Sequence, residues 1–186
     1  MSRAELTPVS YVVLGLVARD GPSTPYDLKA AVGRGIAHFW PFPHSQIYSE
    51  TEQLARTGLL LEEREDWGRR RRTYRITAAG KAALAEWLAA PTVEAPQIRS
   101  LGMLKLYFGA FGEPADLARL ASEQVEVHRQ GLAQVEQLLE RLRARPERRW
   151  QLEVAAMFLD VLSALTQQWE RIEKVAGEQG SAGRAG

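Results

Sequence analysis

The stretch Pro43–Gly58, PHSQIYSETEQLARTG, has the composition of a short helix with both ends marked in the sequence. Ser45 is predicted to be the N-cap, because its hydroxyl can accept a hydrogen bond from a free backbone N–H of the first turn. Gly58 is predicted to end the helix, because glycine adopts the left-handed conformation that commonly follows a last helical turn. We therefore expect a helix of about three turns between these two residues.

The two sides of this predicted helix differ in chemistry at a helical repeat of about 100° per residue. One side can pack against a core through Ile47, Thr51 and Leu54. The other side carries hydroxyl, amide and guanidinium groups at Ser45, Ser49, Gln53 and Arg56. Groups of this kind bond to phosphates and to base edges in the major groove of DNA. Taken alone, the pattern fits an ordinary amphipathic helix with a solvated polar face better.

A basic β-hairpin is predicted directly after the helix. Residues 59–64 and 72–77 have the composition of two short strands, and Gly68 lies between them at the turn. The turn also holds four consecutive arginines, Arg69, Arg70, Arg71 and Arg72. Such a run is commonly a solvated loop, but behind a capped polar helix it can grip the backbone of a duplex.

Two further helices are predicted before the stretch. Thr7-Pro8 and Thr24-Pro25 each place a capping hydroxyl before a proline, which is a typical helix start. Lys29 on the second helix could reach a phosphate. Three helices followed by a hairpin predict a winged helix-turn-helix, so the fold class is mainly α with a small β-hairpin wing.

The composition limits the kinds of function. The chain has 186 residues, of which 45% are hydrophobic, and a net charge of +1. A sizeable core is therefore expected, and any affinity for nucleic acid must come from local placement of arginine. The absence of cysteine excludes disulfides and thiolate metal sites.

Neither a membrane span nor an enzyme is indicated. The apolar stretch from Val9 to Ala18 is much shorter than the roughly 20 residues that cross a bilayer, so we expect a cytoplasmic protein. His38, His44 and His128 do not have metal-ligand spacing, and no nucleophile elbow or phosphate loop is present. We expect no catalytic activity, no metal and no cofactor.

The second half of the chain is predicted to be helical. The winged-helix domain is assigned to residues 1–90, a helical domain to residues 91–176, and a disordered tail to residues 177–186. Apolar residues alternate at three and four positions as in a coiled coil, which predicts helix pairing and a homodimer. The residues predicted to form the dimer interface are Val125, Leu132, Val135, Leu139, Leu142 and Leu165.

Three aromatic residues could form an effector site in this half. Trp150, Phe158 and Trp169 could stack on a planar ligand. They fit a plain hydrophobic core slightly better.

Four stretches together resemble the PadR family of bacterial transcriptional regulators, with the virulence-activator type of helical C-terminal domain. They are VLGLVARDGPSTPYDL, FWPFPHSQIYSETEQLARTGLL, RRRRTYRITAAGKAAL and LGMLKLYFGAFGEPADL. The order SQIY, then L and GL, then Y-x-I/L-T-x-x-G is fairly specific. The resemblance implies a homodimeric winged-helix repressor that is often released from DNA by a small aromatic or other apolar effector. Two subunits that read half-sites about one helical turn apart predict an inverted-repeat operator in double-stranded DNA.

The resemblance assigns individual residues and shows one departure. The residues that correspond to the family's DNA-reading helix are Ser45, Gln46, Tyr48, Ser49 and Gln53, and Arg69 to Arg72 correspond to its wing. Family members commonly carry small or basic residues where this chain has Ser49, Glu50 and Glu52. Carboxylates near phosphate oppose binding.

One alternative from another functional class stays open. A winged-helix and coiled-coil protein could bind another protein without specific DNA binding, as the near-neutral charge and the two glutamates suggest. A steep salt dependence of DNA binding would separate the two hypotheses.

Overall fold

A computed structural model describes residues 6–64 and 72–182 of the chain. It divides into two compact units, Met1–Glu94 and Ala95–Gly186. The predicted disordered tail from Gly177 is not seen in residues 177–182, which extend the last helix. Helix propagation adds a hydrogen bond for each residue fixed, so two late glycines in an established helix need not end it.

The first unit contains four α-helices and a two-stranded antiparallel sheet within its described residues. Its elements in order are α1 (Pro8–Asp20), α2 (Pro25–Gly33), α3 (Ser45–Arg56), β1 (Leu60–Arg64), β2 (Arg72–Ile76) and α4 (Ala78–Ala89), with a short 3₁₀ turn at Ile36–His38. The predicted helices and the predicted hairpin strands are therefore confirmed to within a residue or two.

Both early helix starts have the predicted caps. The Thr7 hydroxyl accepts from the Ser10 N–H, and the Ser10 hydroxyl accepts from the Thr7 N–H at 2.9 Å. Thr24 and Asp27 form the same reciprocal arrangement at the start of α2. Each cap satisfies backbone donors that the first turn leaves free.

Helix α1 supplies the largest share of the core of this unit, and the other elements close it. Residues from α1, α2, α3 and both strands form one buried cluster: Val13, Leu14, Leu16, Val17, Leu28, Ala31, Val32, Ile47, Leu54, Leu60 and Tyr74. The hydrophobic faces of three helices and one hairpin are thus buried against each other, which fixes their relative positions.

The hairpin is tied to the helices at two places. Ser23, between α1 and α2, pairs with Tyr74 of β2 through N–H···O bonds of 2.9 and 3.1 Å. The Thr77 hydroxyl caps α4 and donates to the Gly58 carbonyl at 2.8 Å. A Cβ at Gly80 would lie 2.2 Å from the Leu59 carbonyl oxygen, so only glycine fits there. This contact explains the Y-x-I-T-x-x-G pattern physically.

The second unit consists of helices within its described residues. Its elements are α5 (Leu101–Tyr107), α6 (Pro114–Arg143) and α7 (Arg149–Ala182), with 3₁₀ turns at Gly109–Phe111 and Pro146–Arg148. Helices α6 and α7 pack against each other as a long hairpin. Among the described residues, no helix is both long and apolar enough to cross a membrane.

The coiled-coil seam predicted for a dimer is covered within the same chain. Val135 and Leu139 of α6 are buried in a cluster with Ala155 and Leu162 of α7. Val125 is buried with Ala121 and Trp169. Leu132, Leu142 and Leu165 are half-buried. The assignment of the buried seam residues to a dimer interface is therefore wrong, because α7 folds back and covers them.

Candidate nucleic-acid interface

The inner face of α3 holds the helix in a fixed rotation. Ile47, Thr51 and Leu54 are all 0% exposed, as the periodicity predicted. The Thr51 hydroxyl donates to the Ile47 carbonyl of the preceding turn, so this buried polar group is satisfied. Because three consecutive turns are anchored, the opposite face of α3 points outwards in a defined orientation.

The outer part of α3 carries half of the predicted contact residues. Ser45, Gln46, Tyr48 and Ser49 are exposed, and Gln53 is half-buried. The Ser49 hydroxyl donates to the Gln46 carbonyl at 3.1 Å. Lys29 is exposed on α2.

Ser45 is not the N-cap of α3. It is the first helical residue, and His44 occupies the capping position without a side-chain hydrogen bond. The chain already turns before Ser45, since the Gln46 N–H donates to Pro43 and the Ile47 N–H donates to His44. The prediction is therefore wrong by one residue, and it leaves the Ser45 side chain exposed for another contact. The other end is as predicted, with Gly58 at φ 75°.

The two glutamates of α3 have different environments. The Glu50 carboxylate accepts from the Ser10 hydroxyl at 2.6 Å and from the Thr7 hydroxyl at 3.4 Å. It therefore lies at the start of α1, where the helix dipole also favours an anion. From the sequence, both carboxylates were expected to oppose phosphate binding. In the structure Glu50 is hydrogen-bonded at the start of α1, whereas Glu52 is exposed.

A concave surface lies beside α3 and joins it to α2 and β2. Its volume is about 460 Å³, and its lining residues are Thr24, Pro25, Tyr26, Tyr48, Glu52, Arg72 and Tyr74. Tyr26 is 70% exposed and was not among the predicted site residues. The sequence feature that could have indicated Tyr26 is its place in the first turn of α2, directly after Pro25. Two exposed tyrosine rings beside a guanidinium offer hydroxyl donors and apolar surface together.

The described part of the wing is nearly charge-balanced. Arg64 lies opposite Arg72 in the hairpin register. Glu62 accepts from Arg64 Nε at 2.6 Å and lies 3.7 Å from Arg72 Nε. The hydrogen bond from Arg64 lowers the pKa of Glu62, and the charges of Arg64 and Arg72 act in the same direction. Of the predicted basic run, Arg72 is exposed at the start of β2, whereas Arg69, Arg70 and Arg71 lie outside the described residues.

A separate apolar stripe is exposed on α7. Trp150, Val154, Met157 and Val161 recur at steps of four and three residues, and all are exposed. This spacing puts them on one side of the helix. They form the α7 stripe, which is distinct from the buried seam between α6 and α7.

The three aromatics predicted to line an effector site do not come together. Trp150 is 72% exposed, whereas Trp169 is 2% exposed in a core cluster. Nineteen residues separate them on one helix, which corresponds to about 28 Å at 1.5 Å per residue. Phe158 packs against a different cluster, with Val135 and Leu139. These three residues therefore cannot surround one small ligand within this chain.

A cavity with mostly apolar walls lies elsewhere in the helical unit. Its volume is about 200 Å³, and it is lined by Leu106, Leu117, Arg171, Ile172, Val175 and Ala176. Arg171 supplies the single charged group among these residues. The sequence did not point to this cavity, because its walls come from three helices.

The helices and hairpin of the first unit define a winged helix-turn-helix, with α3 in the position of the exposed reading helix. The sequence matches the Transcriptional regulator PadR-like family over residues 13–86. Residues 98–169 match the Virulence activator alpha C-term family. The chain therefore carries a domain of the PadR-like family of transcriptional regulators, which are not enzymes, followed by a C-terminal domain of the virulence-activator type. No curated protein sequence matches the chain at a significant level.

Solved structures with the same fold extend over nearly the whole chain. Bacillus subtilis PadR, in complex with operator DNA, is 23% identical, with a TM-score of 0.81 over 91% of this chain and 99% of that one. A PadR-like transcriptional regulator from Bacillus cereus is 21% identical, with a TM-score of 0.77 over 92% and 99%. The Vibrio cholerae virulence activator AphA is 23% identical, with a TM-score of 0.69 over 92% and 99%. These similarities establish the fold.

Proposed function

We propose that this chain is a homodimeric regulator that binds an inverted-repeat operator in double-stranded DNA and acts as a repressor. Its place of action is the cytoplasm, where a bacterial chromosome lies. The observation that carries the proposal is the anchoring of α3. Ile47, Thr51 and Leu54 are completely buried, so the polar outer face is presented in one orientation.

The contacts divide between two kinds of group. The outer face of α3 offers Gln46, Ser49 and Gln53, whose amides and hydroxyl can bond to base edges. The wing and α2 offer cations, Arg69 to Arg72 and Lys29, which suit phosphates. Attachment of Glu50 to the start of α1 supports this division, because it removes one carboxylate from the proposed contact surface.

The α7 stripe is the surface through which we propose that two copies associate. Trp150, Val154, Met157 and Val161 leave a large apolar area on one helix face. Exposed apolar patches of this kind mark association surfaces in regulatory proteins. A twofold dimer would place two α3 helices for half-sites about one helical turn of DNA apart.

The cavity beside Arg171 is the site that we propose for a small effector. Its aliphatic walls suit an apolar or aromatic body, and the guanidinium suits an acidic group. One crystal structure of Bacillus subtilis PadR contains p-coumaric acid, a ligand of this chemical kind. Binding here would release DNA if it favours an arrangement of the dimer that does not fit the operator.

Selection of bound fragments from genomic DNA, followed by titration of the selected duplex and a scrambled duplex, tests the proposal. We expect the selected duplex to bind at least about 10³-fold more tightly, with an affinity that falls steeply with salt. Equal binding to both duplexes, or retention of no fragment at low salt, would refute specific DNA recognition. The protein-binding alternative would then be favoured.

A further inference from the structure

The turn between α6 and α7, together with the helix ends on either side of it, contains an unusual concentration of positive charge. Within residues 140–149 there are five arginines and two glutamates, a surplus of three positive charges in a chain whose net charge is +1. The arginines are Arg141, Arg143, Arg145, Arg148 and Arg149. We call this segment the arginine turn. Four of the five side chains are exposed, and Arg148 is half-buried.

Most of this charge is not neutralised within the described part of the chain. Arg143 pairs with Glu140. Neither Arg141 nor Arg145 has a carboxylate oxygen within 4.0 Å among the described residues. The Arg149 guanidinium lies 5.3 Å from the centre of the Trp150 ring, a cation–π contact that limits where it points but leaves its donors available.

Helix stability does not account for the whole cluster. Cations at the end of α6 interact favourably with the helix dipole, which is a sufficient reason for Arg141 and Arg143. At the start of α7 the dipole favours carboxylates, yet the first turn has no acidic residue and begins with Arg149. Arg145 precedes this start, and Arg148 directly adjoins it. A binding role explains why Arg145, Arg148 and Arg149 lie at or just before the start of α7, where cations do not favour the stability of the helix.

We propose that the arginine turn binds the phosphate backbone of duplex DNA, as a contact additional to the winged helix. Guanidinium groups match phosphate oxygens in geometry and charge, and Arg141 and Arg145, which have no carboxylate oxygen within 4.0 Å among the described residues, lose little when they bind them. The choice of DNA rests on the proposed function, because a chain bound to its operator meets adjoining duplex at a high local concentration. Contacts to phosphate carry no sequence information, so the arginine turn contributes affinity and not specificity.

The test compares the full-length wild type with the triple variant Arg141→Gln, Arg145→Gln and Arg149→Gln. The matched control changes three other exposed cations of the same unit, Lys105→Gln, Arg119→Gln and Lys174→Gln. Binding of a selected operator duplex and of a mixed-sequence duplex is measured by fluorescence anisotropy between about 50 and 200 mM salt. Circular dichroism and sedimentation establish that the variants remain folded and in the same oligomeric state.

We expect the triple variant to lower the slope of log K against log salt by about 0.9 for each lost phosphate contact per subunit, on both duplexes. The ratio of the two affinities should not change, the control should keep the wild-type slope, and lysine at the three positions should largely restore that slope.

If the operator is preferred but the triple variant matches the control, the inference is wrong and the proposed function stands. If the wild type shows no operator preference while the triple variant still lowers the slope, the proposed function fails and the arginine turn remains a DNA contact. Binding to vesicles of anionic phospholipid without binding to either duplex would overturn the inference.

Discussion

The Ser10 hydroxyl of α1 donates a hydrogen bond of 2.6 Å to the Glu50 carboxylate of α3. The two residues are 40 positions apart, and Ser10 also belongs to the capping arrangement of α1 with Thr7. One hydrogen bond thus joins the start of the core helix to the middle of the helix that presents the candidate contact surface. Glu50 acts here as a structural residue.

Replacement of Glu50 by alanine should therefore destabilise the protein. The buried Ser10 hydroxyl would lose its charged acceptor, so we expect the free energy of unfolding to fall by about 1–2 kcal/mol. Urea denaturation measures this change. Glu52→Ala, on the same helix but exposed, is the control and should stay within about 0.5 kcal/mol of wild type. Equal effects of the two substitutions would contradict a structural role for Glu50.

Substitutions in α3 and in the wing should affect DNA binding differently. Gln53→Ala or Ser49→Ala should narrow the gap between operator and random DNA by about 1–3 kcal/mol for each lost base contact, with little change in salt slope. Arg70→Gln with Arg71→Gln should weaken binding to all sequences and lower the slope by about 0.9 per lost phosphate contact per subunit. Anisotropy titrations at several salt concentrations distinguish the two patterns. The reverse pattern would mean that helix and wing have been assigned the wrong way round.

Disruption of the α7 stripe should produce monomers. Met157→Glu places a charge in the middle of the exposed apolar face, where association would have to bury it. Sedimentation velocity should then show a monomer, while Gln168→Glu, an exposed site outside the stripe, should remain dimeric. A dimeric Met157→Glu variant would show that the interface lies elsewhere.

Filling of the cavity beside Arg171 should abolish an effector response. In wild type, small planar carboxylic acids should change the fluorescence of the nearby core residue Trp169 and release bound DNA. Leu117→Phe adds volume inside the cavity and should prevent both effects, and Arg171→Gln should weaken binding of acids more than of their neutral amides. If no acid in such a panel changes the fluorescence or releases DNA, the cavity is a packing defect and not an effector site.

His128 should make the stability of the helical unit depend on pH. Its side chain is half-buried, its Nδ1 is shielded from solvent, and the Gln124 backbone opposes the effect of burial on the His128 pKa only in part. Burial lowers the pKa of His128 below its usual value of 6.5, which means that the folded state favours the neutral ring. The contribution of the neutral His128 ring to the stability of the folded state is fully present above about pH 6.5, and it is lost as the pH falls towards the lowered pKa.

The difference in urea midpoint between wild type and His128→Gln isolates this contribution. The urea midpoint of wild type should fall relative to that of His128→Gln as the pH is lowered from neutral to mildly acidic conditions, because glutamine does not titrate. A difference that is the same at both pH values would show that His128 is not linked to folding.

Local sequence pattern was sufficient for the winged helix. Ile47, Thr51 and Leu54 face the core because helical periodicity places them on one side, and the hairpin pairs near its predicted bounds. Gly58 ends α3 because glycine enters the left-handed region without a steric penalty. In each case residues close in sequence determine the outcome.

Only the tertiary structure decided which surface covers each apolar or charged group. A three-four repeat shows that a helix has an apolar face but not which helix buries it, so the seam at Val135 and Leu139 could be assigned to a partner although α7 covers it. For the same reason Trp150 is exposed whereas Trp169 is buried on one helix. The place of Glu50 at the start of α1 depends on a contact across 40 residues. Such long-range contacts follow from the packing of whole elements, which a local periodic pattern does not encode.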